Sequence, residues 1–263
     1  MGNKSRELVL KIAVAVTFVA MVVVNYLAQM LPINGVNPGQ VSDSLPNLFA
    51  PAGLTFSIWG LIYLLLAVFT VYQFFYKPEE GQRSLDGVRV VFILTSLFNI
   101  AWIFSWHYRA FILSMALMLA LLVSLILVNH MLDMRRLTGM KKAVIALPFS
   151  IYFGWITVAT VANATALLVS LGWDRFGLPE EFWAVVVLLV AMGIGNAAMI
   201  TRKDVAYGLV LLWAYAGILL KHVSPANFAG AYPWVIATVI LCLAAYAAGE
   251  FFTIRSLLRR PAQ

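Results

Sequence analysis

Residues 49–63 read FAPAGLTFSIWGLIY. Pro51 and Gly53 open the stretch as a turn, and an uninterrupted apolar run follows. Within it Phe56, Trp59 and Tyr63 stand at offsets of zero, three and seven. Offsets of three and four put side chains on one face of an α-helix. Leu and Val alone would carry a helix across a bilayer, so two amphipathic rings on one row call for another reason. The stretch predicts a membrane helix with one ring-bearing face.

The rest of the chain supports the membrane reading. Of 263 residues, 63% are hydrophobic and 11% charged, with a mean hydropathy of +0.92. A soluble domain carries about 25% charged residues. The first apolar run has no small-residue cleavage site and is long enough to span, unlike a cleavable signal. The single cysteine, Cys242, lies in an apolar run. It excludes an intramolecular disulfide and argues against a metal or redox centre built on cysteine.

Eight apolar segments emerge, at 12–31, 51–76, 90–106, 110–132, 143–171, 182–201, 205–220 and 229–254. Each is near the length that crosses a bilayer as a helix, the form that satisfies every backbone group internally. The predicted fold is all-α, a polytopic membrane helix bundle. Residues 107–109 and 202–204 are little more than turns, so their flanking helices are predicted to be antiparallel neighbours.

The net charge of +7 sits at the ends of the apolar segments. There is no basic domain, which argues against nucleic acid as a partner. With the N-terminus inside, only Arg109, Arg175 and Lys221 of the 18 Lys and Arg fall on the outer side. This asymmetry predicts that both termini are cytoplasmic. The longest outer segment, 32–50, is rich in Pro, Gly and Asn and carries one charge, Asp43. It reads either as a plain connector or as a functional lid. No internal repeat is evident. The runs GIGNAA (193–198) and AAYAAG (244–249) predict close helix packing.

Two more segments repeat the opening pattern. The third carries Asn99, Trp102 and Trp106, and the fifth Tyr152, Trp155 and Ala159 followed by Asn163. Trp173, Trp183, Tyr232 and Trp234 sit at outer segment ends, as interfacial belt residues do, and Trp106 fits that description too. Trp59, Trp102 and Trp155 lie several residues inside. They either pack between helices or line a cavity. Asn99 and Asn163 need partners within hydrocarbon, which each other, nearby backbone or a ligand would supply. Rings and amides converging on one cavity suit a large, flat, mostly apolar ligand with a few polar groups.

At these residues the chain resembles the tryptophan-rich sensory protein family, also called the translocator protein or TspO/MBR family. The matching positions are Pro51, Phe56, Trp59 and Tyr63 in the second helix, Asn99 and Trp102 in the third, and Trp155 and Asn163 in the fifth. Their order and helix placement agree across roughly residues 10–170. Phe56 stands three residues before Trp59, where the family commonly has four. Pro148 stands seven residues before Trp155, rather than four. Family members usually stop after five helices, so this chain resembles an extended branch.

The resemblance implies a five-helix core at 1–171, with a three-helix extension at 172–263 packed on it. It further implies a pocket of Trp59, Tyr63, Asn99, Trp102, Trp155 and Asn163, lidded by the loop with Pro46, Asn47 and Pro51. Phe56 and Trp106 are added to the pocket from the residue pattern. The family binds porphyrins and, in some members, sterols and drug-like aromatics, so a porphyrin or haem ligand is implied. Membrane lipids are the surrounding partners. The family's homodimer contact is one that the added helices could replace. A bacterial cytoplasmic membrane follows from the family's distribution. Three functions compete: a binding protein or sensor for such a ligand, a transporter of it or of another amphipathic solute, and a porphyrin-modifying enzyme using tryptophan photochemistry.

Residue types favour the enzyme least. His107, His130 and His222 all stand at segment ends, which predicts interfacial positions; His107 and His222 share the outer side and are the candidate haem ligands. Glu250 is the one acid clearly within an apolar segment. It is expected to pair with Arg255 or to snorkel, with proton coupling as the alternative. Lys221 has no acid nearby in sequence to act as counter-ion to a Schiff base. No phosphate loop, metalloprotease pair or nucleotide fingerprint is present.

Overall fold

The computed structural model describes residues 3–31, 33–45, 47–77, 84–135 and 137–259. Among them the chain is helical, without strands. The helices are α1 (Asn3–Met30), α2 (Pro38–Asp43), α3 (Ile58–Phe75), α4 (Asp86–His107), α5 (Phe111–Asp133) and α6 (Gly139–Lys141). They continue with α7 (Leu147–Ser170), α8 (Glu180–Arg202), α9 (Val205–Val223) and α10 (Pro233–Leu258). Eight helical stretches among the described residues are long and apolar enough to cross a membrane. They correspond to the eight segments read from the sequence. Pro46 of the expected lid, and Arg83, Arg136 and Arg260 of the charge pattern, lie outside the described residues.

The chain divides into two compact units. The first is Met1–Val41 with Trp59–Ile156, and the second is Ser42–Ile58 with Thr157–Gln263. The connection between α1 and α3 thus changes unit between Val41 and Ser42.

In the first unit, α4 lies against both α1 and α5. The link between α4 and α5 is a tight reversal in which Arg109 takes a left-handed conformation (φ 56°) and Ala110 N–H donates to Ser105 O at 2.9 Å. The core between α3, α4 and α7 is aromatic. Phe69, Phe92 and Phe149 meet edge to face at 4.9–5.7 Å between ring centres, a favoured geometry for aromatic pairs. Asn129 on α5 donates to Phe149 O at 3.1 Å.

Helix α4 begins four residues earlier than the apolar run suggested, and this brings Arg89 inside. Arg89 is 1% exposed. Its guanidinium meets Asp86 at 2.7 Å and Glu7 at 3.5 Å, and Nε donates to Gln73 Oε1 at 3.1 Å. A buried cation so compensated draws α1, α3 and α4 together. The fifth span has a local irregularity with a clear cause. Residues 142–146 form a π-turn between α6 and α7, immediately before Pro148, which lacks the N–H needed to continue an α-helical ladder.

In the second unit α10 packs on α8 and α9. The small-residue runs are where these helices come closest. A methyl group at Gly195 would fall 2.6 Å from Tyr246 Oη and 2.7 Å from Leu211 Cδ1. Tyr215 on α9 donates its hydroxyl to Leu188 O on α8 at 2.9 Å. The turn from α8 to α9 uses Lys203 in a left-handed conformation (φ 54°). Asp204 then caps α9 by accepting from Tyr207 N–H at 3.2 Å, which satisfies one of the orphan donors of the first turn.

Candidate functional site

The first unit brings together rings from α3 and α7. Trp59 stacks on Tyr63 at 5.4 Å between ring centres, and its edges meet Tyr152 at 5.7 Å and Trp155 at 6.4 Å. Tyr152 and Trp155 are buried, at 0% and 2% exposed, while Trp59 and Tyr63 stay half-buried. Trp59 thus meets each of the other three rings, and the site is a packed aromatic cluster.

Asn99 on α4 joins this cluster through Tyr152. Its Nδ2 donates to the Tyr152 hydroxyl at 3.1 Å, and its Oδ1 accepts from Asn25 Nδ2 on α1 at 2.7 Å. Asn25 completes its own bonding by donating to Met21 O at 2.9 Å. The network therefore ties α1, α4 and α7 together. Asn25 and Tyr152 belong to this site although the sequence reading did not count them in the pocket. Asn25 is an amide in the middle of a span, the same signal that singled out Asn99.

Trp102 and Trp106 on α4 form a second ring pair, stacked at 5.9 Å, with Phe111 against Trp106 at 5.5 Å. Trp106 is 7% exposed, more enclosed than a belt residue. Its indole donates to Pro38 O at 3.2 Å, and Asn34 donates to His107 O at 3.0 Å. These two bonds fasten the first part of the outer segment to the end of α4. His107 itself is fully buried, with Nδ1 on Ile103 O at 2.7 Å, rather than interfacial as expected.

Phe56, Asn47, Pro51 and Asn163 belong to the second unit. Phe56 does not extend the helical row of Trp59 and Tyr63. Residues 53–57 form a 3₁₀ turn and α3 starts at Ile58, so the spacing rule for α-helical faces stops short of it. Asn163 lies on α7, 2% exposed. Asn47 organises the loop: its Oδ1 accepts from Ala50 N–H at 2.9 Å and Phe49 N–H at 3.2 Å, and its Nδ2 donates to Leu45 O at 3.0 Å.

Helix α9 holds this part of the loop, a role the sequence did not reveal. Ala52 N–H donates to Gly217 O at 3.0 Å, Trp213 Nε1 donates to Thr55 O at 3.0 Å, and His222 Nε2 meets Leu48 O at 2.9 Å. Gly217 makes the approach possible, because a methyl group there would run into the Thr55 side chain. His222 is fully buried, so the interfacial expectation fails here too. Its ring answers a loop carbonyl that has no helical partner. Lys221, next to it, lies 5.7 Å above the Phe228 ring.

The belt reading suits one end of the second unit. Trp173 and Trp183 meet edge to face at 4.9 Å, and Trp234 is 73% exposed.

Comparison with known families matches residues 11–252 to the family described as TSPO-like protein. No curated protein and no solved structure matches the chain.

Proposed function

The chain belongs to the TSPO-like protein family, and on that premise we propose that it binds a porphyrin or a similarly flat, apolar molecule within the membrane. Membership supports a membrane ligand-binding or transport protein in general terms. The finer reading is supported by one observation above others: Trp59, Tyr63, Tyr152 and Trp155 gather from two helices into a single cluster beside the Asn25–Asn99–Tyr152 network. Stacking on indole and phenol rings supplies affinity for a flat π-system, and the amides supply sparse polar contacts.

In this reading the protein acts as a receptor or sensor, with Trp59, Tyr63 and Trp155 as the principal contacts. Trp102 and Trp106 are secondary contacts. The membrane would be the cytoplasmic membrane of a bacterium, with both termini inside. Transport of the same ligand is the second reading, favoured by the family's general character and by the added helices.

Titrating the purified protein with protoporphyrin while following tryptophan fluorescence tests the proposal. Saturable quenching, weakened in both Trp59→Phe and Trp155→Phe, supports it. Equal affinity in wild type and both variants rejects the cluster as the binding site. Flux into proteoliposomes then separates a transporter from a sensor.

A further inference from the structure

The second unit contains a polar site that the aromatic cluster does not explain. Glu250 stands on α10 within the membrane-spanning stretch Pro233–Leu258, and it is 5% exposed. Both of its carboxyl oxygens are buried without a hydrogen-bond partner among the described residues. The same holds for Thr253 Oγ1, one turn along the same helix, and for Asn196 Oδ1 on α8. Four unanswered oxygens gathered where α8, α9 and α10 pack are unusual, because buried polar atoms are nearly always paired.

Two glycines make room for this group. A methyl on Gly208 of α9 would collide with Glu250 Oε1 and Met199 Sδ, and one on Gly249 would collide with Asn196 Oδ1 and the Met199 methyl. Glu250 and Asn196 therefore both border Met199, in space that any larger residue would fill.

No cation reaches hydrogen-bond distance of the Glu250 carboxyl among the described residues. Arg202 pairs with Asp204 at 3.7 Å, and Arg255 is exposed beyond Glu250 on its own helix. At this end of the packed elements the other charged or titratable groups are Lys203 and Asp204 in the turn from α8 to α9, Tyr207 on α9, Tyr246 on α10 and Arg259 just after it. None supplies a cation to Glu250. An ionised carboxylate here would carry the full cost of desolvation, and such a group in practice neutralises instead. A neutral carboxyl also gains a donor, which an ionised one lacks.

We propose that Glu250 is a proton-binding site: a carboxyl that carries its proton inside the three-helix packing and exchanges it with water at the C-terminal end of α10. This gives α8, α9 and α10 a function of their own, ion coupling, that does not depend on the ligand bound at the aromatic cluster.

Infrared spectroscopy of the full-length protein in lipid tests this directly. At neutral pH the wild type should show a protonated-carboxyl C=O stretch that shifts in deuterium oxide. Glu250→Gln, which matches the shape of the neutral acid, should lack that band. Independently of any variant, dicyclohexylcarbodiimide should modify wild-type Glu250, located by peptide mass spectrometry, with labelling that declines as pH rises. Absence of both band and adduct means an ionised Glu250 and overturns the proposal. A band or adduct that appears only when sodium is replaced by choline also overturns it, because an alkali cation is then the occupant.

Discussion

Asn25 on α1 donates its side-chain amide to Asn99 Oδ1 on α4 at 2.7 Å, and this bond joins two helices that also meet through the Phe18–Phe92 ring pair and the Glu7–Arg89 ion pair. Asn99 is fully buried, so its oxygen has no water to fall back on. The pair should be coupled in stability. A double-mutant cycle with Asn25→Ala and Asn99→Ala, read by unfolding in mixed detergent, should return a coupling of ~0.6 kcal/mol, the average for interhelical bonds in membranes. Additive single effects would mean that the bond contributes nothing.

The eight spans were legible because hydrocarbon enforces length and apolarity on every crossing helix, and the tight links at Arg109 and Lys203 left too few residues for anything but a reversal. Trp59, Tyr63, Asn99 and Trp155 were legible because helical spacing aligned them. Trp213, Gly217 and His222 were not. Each answers a loop residue more than 150 positions earlier in the chain, and no local periodicity records such a partnership. His107 and His222 misled for a related reason. Position at a segment end suggests an interface, but a buried carbonyl aimed at the ring decides otherwise. Phe56 was assigned to a helical face across a 3₁₀ turn whose geometry the spacing rule does not cover.

The grip of α9 on the outer loop predicts a sharp response at Gly217. Gly217→Ala would press a methyl into the Thr55 side chain and lengthen the Ala52 N–H to Gly217 O bond. Overpacking of this kind costs about 1–3 kcal/mol. Hydrogen exchange at residues 47–57 should accelerate in this variant. Trp213→Phe should produce a smaller acceleration, since one hydrogen bond contributes about 1 kcal/mol. Unchanged exchange in both would show that the loop is held by other contacts.

Arg89 anchors α1, α3 and α4 within the first unit. Replacing it with Leu leaves Asp86 and Gln73 facing a vacated apolar space. Removing one member of a buried ion pair costs about 3–5 kcal/mol, and the lower end is expected because Asp86 and Glu7 keep some contact with water. Arg89→Leu should therefore lower the melting temperature clearly. Arg89→Leu combined with Asp86→Leu should recover part of the loss. A double variant as unstable as the sum of the two singles would rule out the pairing as the cause.

Tyr152 separates the two roles of the aromatic cluster. Its ring meets the edge of Trp59, whereas its hydroxyl accepts from Asn99. Tyr152→Phe removes only the hydroxyl, stranding one amide N–H in a fully buried position, at a cost of about 1–3 kcal/mol. Tyr152→Ala removes the ring as well and opens a cavity beside Trp59, costing about 3–5 kcal/mol by analogy with other aromatic truncations. If ring surfaces carry ligand affinity, Tyr152→Phe should be less stable yet bind protoporphyrin nearly as well as wild type, while Tyr152→Ala should bind at least tenfold more weakly. Fluorescence titration beside a thermal melt measures both quantities on the same sample. Loss of binding in Tyr152→Phe would shift the weight of recognition from the rings to the amide network.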